Sequence, residues 1–170
     1  INITGGTEKV KYFASVGAFT QQGLYNNTDM IDGFNTQVRY NRYNFRTNFD
    51  FQVTDRFSVN LNISDQLEDR KGPSDSTPYI LANAFAHPPT SGPGVVDGKI
   101  IENPLKGLVI GHGHLHEYRN QLNGSVRFNY KLDFLTKGLS THATISYQNY
   151  NTHTIRYVKN MVTYKLIGDK

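Results

Sequence analysis

Residues 43–53 alternate between apolar and polar side chains, and this alternation constrains the fold more than any other feature of the sequence. The odd positions, except Thr47, are aromatic or aliphatic, whereas the even positions are polar or charged. Successive side chains of a β-strand point to opposite faces, so the segment predicts a strand with one apolar and one polar face. Residues 57–67 repeat the pattern after the turn residues 54–56, and the two runs together predict an antiparallel hairpin.

A second pair of alternating segments lies later in the chain. Residues 122–132 and 139–148 alternate in the same way, and residues 134–138 form the turn between them. Two less regular segments, 9–22 and 154–167, bring the total to about six predicted strands. Each is long enough for the roughly 9 to 11 residues with which a tilted strand crosses a bilayer.

The connections between these strands alternate in length. Those at 54–56 and 134–138 are tight, whereas those at 24–37 and 70–118 are long. This asymmetry is typical of outer-membrane barrels, which have short periplasmic turns and long extracellular loops. The connection expected at 150–153 is short, although the alternation of tight turns and long loops requires a longer one there.

The composition fits a barrel better than a helical membrane protein or a soluble domain with a large core. Only 37% of the 170 residues are hydrophobic, although Tyr 11 and Phe 10 make the chain rich in aromatics. No stretch approaches the roughly 20 apolar residues of a membrane-spanning helix. A mean hydropathy of −0.53 is compatible with a barrel, because its lumen face is polar. The absence of cysteine excludes a disulfide framework and a thiolate metal site.

The predicted strands are too few to form a membrane barrel by themselves. Strands in a bilayer need a closed wall without open edges, and the smallest such barrels have about eight strands. The chain also begins at Ile1 without a signal peptide. We therefore expect an all-β fold in which this chain supplies about six strands of a larger antiparallel transmembrane β-barrel, with long extracellular loops.

The net charge of +4 comes from 18 basic and 14 acidic residues. The basic residues are scattered among the predicted strands instead of forming one patch or stripe. Because nucleic-acid-binding domains concentrate their positive charge, we expect no nucleic-acid partner.

The long loop at 70–118 contains a predicted helix. Residues 77–86 have Thr77 as a cap and Pro78 at the first helical position, and His87-Pro88-Pro89 ends the helix. A Gly/Pro-rich stretch through Gly98 follows. A loop of this length is usually functional or disordered, and the apolar residues of the helix favour an ordered loop.

Four segments resemble the barrel of SusC-like (SusC/RagA) TonB-dependent outer-membrane transporters from Bacteroidetes. Residues 3–13, with Gly-Gly-Thr before Tyr-Phe, resemble a strand opening of that family, and residues 40–48 (YNRYNFRTN) resemble its Tyr/Asn/Arg-rich strand. The helix that ends at His87-Pro88-Pro89, with Asn103-Pro104-Leu105 after it, resembles its Pro-Pro loop and Asn-Pro element. Residues 134–139 look like its periplasmic turn. The order of the four segments matches the family along nearly the whole chain.

This resemblance implies a barrel of about 22 strands with a plugged lumen in the bacterial outer membrane. It implies TonB-dependent import of a large nutrient, a glycan or an oligopeptide. The implied partners are a SusD-like surface lipoprotein, the TonB-ExbB-ExbD energy-coupling complex and outer-membrane lipid. It implies transport without a cofactor and without enzymatic activity. Residues 1–170 would be part of the barrel domain, since the plug and the TonB box have no counterpart in this sequence.

The candidate site residues follow from the strand and loop assignments. The lumen-facing positions are expected to hydrogen-bond a hydrophilic substrate or the plug, or to be a solvated wall; they are Asn44, Arg46, Asn48, Asp50, Asn60 and Asn62. The candidate ligand or partner contacts, on loops or at the rim of a strand, are Tyr25, Tyr79, His112, His114 and His116. In an extended chain the three imidazoles lie about 7 Å apart on one face. They would converge on Zn or Cu only if the backbone bent at the adjacent glycines, so we predict no metal site.

Two other classes of function compete with transport. The first is a soluble all-β ligand-binding module, in which the apolar face of the 43–67 hairpin would pack on a second sheet and the chain would purify without detergent. The second is an outer-membrane hydrolase. The sequence contains no Gly-x-Ser-x-Gly elbow, and no His or Asp spacing singles out a nucleophile.

The alternation predicts that Phe49→Arg impairs membrane insertion, because a charge on the lipid face near the bilayer midplane costs about 2–4 kcal/mol. Asn48→Arg, on the opposite face, is the matched control and should be tolerated better. The amount of each variant that reaches the outer membrane measures the difference. Equal tolerance at the two positions would contradict the alternation.

Overall fold

A computed structural model of the chain describes residues 1–26, 28, 35–88, 90, 95–101, 112–159, 162–165 and 167–168. They are mostly β structure, with one six-stranded antiparallel sheet that is not closed into a barrel and one short helix. The elements are β1 (Asn2–Gly6), β2 (Val10–Gln22), β3 (Arg39–Gln52), β4 (Phe57–Pro73), α1 (Thr77–Ala86), β5 (Val95–Val96), β6 (Lys99–Ile100), β7 (Gly113–Lys131) and β8 (Ser140–Val158). The sheet order is β1-β2-β3-β4-β7-β8, and β5 and β6 form a separate two-stranded hairpin. The prediction of an antiparallel, β-rich fold is confirmed.

The chain divides into two compact units. Unit 1 comprises Ile1–Phe19, Asn41–Glu68 and Arg119–Thr152. Unit 2 comprises Thr20–Tyr40, Asp69–Tyr118 and His153–Lys170. The two predicted tight turns lie in unit 1, whereas α1 and the β5–β6 hairpin lie in unit 2.

Both tight turns of unit 1 form where the sequence predicts them. Between β3 and β4, Thr54 Oγ1 accepts a hydrogen bond from the backbone N–H of Phe57 at 3.1 Å. Between β7 and β8, the backbone N–H of Leu132 donates to the carbonyl of Leu139 at 2.8 Å. Gly138 has a φ of 82° and donates its N–H to Asp133 Oδ1 at 2.9 Å. Glycine suits this position because a side chain disfavours positive φ.

The alternation gives the sheet of unit 1 a polar and an apolar face. On the apolar face, the Phe57 ring lies 6.4 Å from that of Phe128, and the Phe49 and Phe51 rings are 5.9 Å apart. Thr47, the exception to the alternation, is buried, and its hydroxyl donates to the carbonyl of Phe13 at 3.0 Å. A buried hydroxyl needs such a partner, so this threonine fits an otherwise apolar row.

The first strand of the sheet was not predicted from the sequence. β1 pairs with β2 in antiparallel register, with Gly5 opposite Tyr12. The Tyr12 ring covers Gly5 so closely that an added Cβ would lie 2.6 Å from the phenol oxygen. The segment was missed because Gly5 and Gly6 weaken strand propensity, whereas the real strand is held by pairing with β2.

The predicted helix forms over Thr77–Ala86 in unit 2, but its cap is Ser76 instead of Thr77. Ser76 has an extended backbone, and its hydroxyl accepts a hydrogen bond from the N–H of Tyr79 at 3.4 Å. The helix ends before His87, as predicted from the prolines that follow. Pro89 and the predicted Asn103-Pro104-Leu105 element lie outside the described residues.

A small hairpin lies within the segment that we expected to be irregular. Asp97 and Gly98, with φ values of 49° and 72°, connect β5 to β6. Two central residues with positive φ are the signature of a type I′ turn, for which Asp-Gly is a preferred pair. The signal was therefore present in the sequence, and only the shortness of the flanking strands concealed it.

The predicted turn at 150–153 and the separate last strand at 154–167 are wrong. β8 continues to Val158, and Tyr164 instead forms a single parallel bridge with Ile101. In unit 2, the backbone N–H of Lys159 donates to the carbonyl of His112 at 2.9 Å, and the rings of His114 and Tyr157 stack at 4.8 Å. Pairing with β7 therefore overrides the local turn preference of the Asn/Thr-rich residues before His153.

The strands beside the long loop are longer than predicted. β4 extends to Pro73 and β7 begins at Gly113, so the connection is residues 74–112 instead of 70–118. The extra strand length was not predicted, because it lacks the apolar–polar alternation.

The described residues contain almost no apolar core. The buried hydrophobic side chains among them are Ile80 and Ile100, both in unit 2 and neither in the six-stranded sheet. No helix in the described part of the chain combines the length and apolar character needed to cross a membrane.

Gly113→Ala should strongly destabilise unit 2. At Gly113, φ is 109° and an added Cβ would overlap the carbonyl oxygen of Tyr157. We expect a loss of about 2 kcal/mol or more, because both strain and displacement of β8 contribute. Gly124→Ala in the same strand is the control, since an added Cβ there meets nothing within 4 Å. The midpoint of urea unfolding measures both, and equal midpoints would contradict the close approach of β8.

Candidate functional site

Part of the polar face of unit 1 is a network of hydrogen bonds between side chains. Asn60 Nδ2 donates to Asp50 Oδ1 at 2.6 Å. Asn129 Nδ2 donates to Asn60 Oδ1 at 2.7 Å and to Ser58 Oγ at 3.4 Å. These bonds connect β3, β4 and β7, so Asp50 and Asn60 serve mainly to hold three strands together.

An open concavity of about 640 Å³ lies beside this network on the polar face. β3 and β4 contribute Arg46, Asn48, Asn62 and Ser64 to its wall, and β7 and β8 contribute Asn123, Ser125, Ser146 and Gln148. The alternation of each strand aims these polar side chains to the same face. We call this concavity, with the eight polar residues that line it, the Arg46 concavity.

Most polar groups of the Arg46 concavity are uncommitted. The hydrogen bond between two of its side chains runs from Asn62 Nδ2 to Ser125 Oγ, at a long 3.4 Å. Asn48 Oδ1 is buried without a hydrogen-bond partner among the described residues. In the same described part of the chain, the Arg46 guanidinium has no ion-pair or hydrogen-bond partner. The concavity therefore has free capacity for a ligand.

The polar face of unit 1 is also positively charged. Strand parity and side-chain contacts place six basic and two acidic residues on it: Lys11, Arg42, Arg46, Arg119, Arg127 and Lys131, against Asp50 and Glu68. Glu68 is itself partly neutralised by Arg119, whose Nη1 lies 4.0 Å from Glu68 Oε2. An excess of one sign on a concave wall attracts ligands of the opposite sign.

Of the six predicted lumen positions, three line the Arg46 concavity: Arg46, Asn48 and Asn62. Asp50 and Asn60 belong to the hydrogen-bond network instead. Asn44 lies on the same face near Gly17, where an added Cβ would be 3.9 Å from its Nδ2. The structure thus divides the predicted lumen positions between the concavity and the hydrogen-bond network, although the sequence analysis grouped them together.

The three predicted histidines of unit 2 do not converge on one point. His112 Nδ1 lies 2.9 Å from Asp75 Oδ2, and His116 Nε2 lies 2.7 Å from Asp69 Oδ1. His114 instead stacks on Tyr157. No group of three or more His, Asp or Glu side chains in the described part of the chain is placed to hold a metal ion.

The His112–Asp75 contact joins the two ends of the long loop, whereas the His116–Asp69 contact joins β7 to β4. Besides His112, Asp75 faces Arg156, whose Nη2 lies 3.9 Å from Asp75 Oδ1. Ser74 Oγ donates to the carbonyl of His112 at 3.0 Å, and the Ser74 N–H donates to the carbonyl of Gly113 at 3.1 Å. In this arrangement the imidazoles have structural partners within unit 2.

The two predicted tyrosine contacts differ in exposure. Tyr79, on α1, is 53% exposed and lines a second concavity with Arg70, Lys71 and Arg156. Tyr25 is half-buried, and its hydroxyl is enclosed without a hydrogen-bond partner among the described residues. Tyr79 is therefore accessible to a partner, whereas the hydroxyl of Tyr25 is not.

Several site residues were missed by sequence reasoning. Asn123, Ser125, Ser146 and Gln148 are polar positions of the second predicted hairpin, but nothing in the sequence places them beside Arg46. Asp65 interrupts the apolar positions of β4 between Ile63 and Leu67, and this interruption was an available signal for its polar partner Asn120 on the same face.

Comparisons with protein-family models, with curated proteins and with solved structures find no significant match to this chain. The chemistry of the Arg46 concavity therefore follows from its own side chains. Its lining contains one cation, amides and hydroxyls, and neither a carboxylate nor a histidine. Such a set binds polar or anionic groups by hydrogen bonds and charge.

The division of the polar face predicts different costs for two neighbouring asparagines. Asn60→Ala should destabilise the protein by about 1–2 kcal/mol, because it removes the two short hydrogen bonds that connect β3, β4 and β7. Asn62→Ala should cost less than about 0.5 kcal/mol, since it removes one long bond. Urea unfolding of the two variants measures the difference. Equal losses would contradict the assignment of Asn60 to the network and Asn62 to the open site.

Proposed function

We propose that this chain is part of the wall of a bacterial outer-membrane barrel and that the whole protein is a SusC-like, TonB-dependent importer of a large hydrophilic nutrient. The observation that supports a membrane wall is the limited height of the apolar rows on very long strands.

Several large apolar side chains on the apolar face of unit 1 are exposed in the described part of the chain. Phe45 is 43% exposed, Ile145 68% and Tyr147 60%. An aromatic side chain buries about 150–250 Å² when covered, and each Å² contributes about 25 cal/mol. Covering the half that is now exposed would therefore contribute roughly 2 kcal/mol for each aromatic residue. A face of this kind requires either lipid or another apolar layer.

Strand length favours lipid over a second sheet. β4 has 17 residues, and β7 and β8 have 19 each. Strands of soluble globular proteins usually have about 3–10 residues. A strand of 19 residues at about 3.3 Å per residue is roughly 60 Å long, which suits a barrel strand that crosses the membrane and continues beyond it.

The apolar rows match the thickness of a bilayer. On β3 the row runs from Tyr43 to Phe51, and on β7 it runs from Leu122 to Tyr130. Nine residues at about 3.3 Å, tilted by about 40°, span roughly 23 Å, close to the ~25 Å apolar band of outer-membrane barrels. Within unit 1, Asn120 Nδ2 then donates to Asp65 Oδ1 at 2.7 Å on the same face. This polar pair interrupts the apolar face at one end of the row on β7.

The polar face supports transport of a hydrophilic substrate. On the lumen side of a plugged barrel, the side chains of the Arg46 concavity would face the plug and the solutes that pass between it and the wall. Side chains on the polar face do not contact lipid, so they can remain available for a ligand.

The nature of the importer comes from the resemblance of the four segments. That resemblance is the basis for proposing a SusD-like lipoprotein and TonB-ExbB-ExbD as partners and a glycan or peptide as substrate. Of the residues that carry it, Pro89 and Asn103-Pro104-Leu105 lie outside the described part of the chain. Within that part, Tyr79 and Phe85 of α1 are 53% and 89% exposed and provide a surface for the lipoprotein.

Native purification from outer membranes in mild detergent, followed by mass spectrometry, tests the proposal. We expect the chain in the outer-membrane fraction, within a polypeptide that extends beyond both ends of this sequence and together with a surface lipoprotein. Recovery of a free chain of 19.3 kDa that is soluble without detergent would contradict it. The soluble all-β ligand-binding module would then account for the apolar face.

A further inference from the structure

We propose that the Arg46 concavity recognises an acidic saccharide, a sugar chain that carries carboxylate groups. This inference rests on the proposed function and names its substrate class. Three observations lead to it: a free guanidinium, a wall of amides and hydroxyls, and an excess of positive charge on the same face.

Arg46 differs from the other arginines on the polar face of unit 1. Arg119 faces Glu68, and Arg127 Nε donates to Asn129 Oδ1 at 3.1 Å. Arg42 lies over the ring of Phe19, 5.6 Å from its centroid. Arg46 is exposed, lies in the concavity and has no such partner among the described residues. A guanidinium in this state can bind a carboxylate through two parallel hydrogen bonds.

The rest of the concavity matches a sugar chain better than a peptide. Asn48, Asn123 and Gln148 offer amide donors and acceptors, and Ser64 and Ser146 offer hydroxyls. Paired strands lie about 4.8 Å apart, so these groups form an array that can hydrogen-bond the successive hydroxyls of a saccharide. Strand parity directs the side chains of Ile63 and Tyr147 to the apolar face, which leaves no apolar pocket for the side chain of a peptide.

The charge of the surrounding wall favours an anionic ligand over a neutral one. Six basic and two acidic residues lie on the polar face of unit 1, and one of the acids, Glu68, is already paired with Arg119. The other acid, Asp50, accepts a hydrogen bond from Asn60 outside the concavity. No carboxylate therefore stands among the lining residues to repel a uronic acid.

Equilibrium binding to the purified full-length protein in detergent tests the inference. The probes are oligosaccharides of galacturonate, glucuronate and mannuronate, each compared with its uncharged methyl ester, and an oligoglutamate peptide of equal charge. We expect at least one uronate oligosaccharide to bind more tightly than its methyl ester and than oligoglutamate. Arg46→Gln should weaken that binding roughly 10- to 100-fold, because it removes a charge-assisted hydrogen bond.

Arg127→Gln is the matched control, since it removes the same charge from the same face outside the concavity. Its binding should remain within about twofold of the unmodified protein. The inference is overturned if no uronate oligosaccharide binds, if oligoglutamate binds best, or if Arg46→Gln and Arg127→Gln have equal effects. These results leave the membrane location untouched, whereas a chain that is soluble without detergent would overturn the proposed function itself.

Discussion

Cross-strand pairing holds β3, β4 and β7 in a register that puts Asn60 beside both Asp50 and Asn129. A shift of one residue in any of these strands would exchange its two faces, because the side-chain period of a strand is two. The same register places Phe57 against Phe128 on the opposite face. The apolar rows, the hydrogen-bond network and the Arg46 concavity all depend on it. Since the sheet has almost no buried apolar side chains among the described residues, backbone pairing and these cross-strand contacts maintain its shape.

The two faces of the sheet have separate tasks in the proposed account. The apolar face needs only the right height and polarity, so its residues are interchangeable with others of similar character. The polar face contains both structural and uncommitted groups: Asp50 and Asn60 hold strands together, whereas Arg46 and Asn48 keep free hydrogen-bonding capacity. The histidine–aspartate pairs of unit 2, one between the two ends of the long loop and one between β7 and β4, have a structural role as well. Function is therefore expected where polar groups lack internal partners.

The sequence predicted β3, the first part of β4 and both tight turns, because these segments alternate regularly and end at recognisable turn residues. It missed the extension of β8 through residues 150–153, since only pairing with β7 keeps those turn-forming residues extended. It also missed β1, whose glycines have low strand propensity. For the site, alternation identified Arg46, Asn48 and Asn62 as one face, but the residues that complete the concavity come from β7 and β8. Which strand lies beside β4 is a property of the fold and has no local signal in the sequence.

Accessibility of spin labels at single cysteines in β3 tests the central claim, that one face of the sheet contacts lipid and the other contacts water. The chain contains no cysteine, so variants at positions 48, 49, 50 and 51 each carry one label in this segment. In native outer membranes, labels at 49 and 51 should be relaxed mainly by oxygen, which dissolves in lipid, and labels at 48 and 50 mainly by a water-soluble nickel complex. Equal access of the nickel complex to all four positions, or shielding of 49 and 51 from both reagents, would contradict the account.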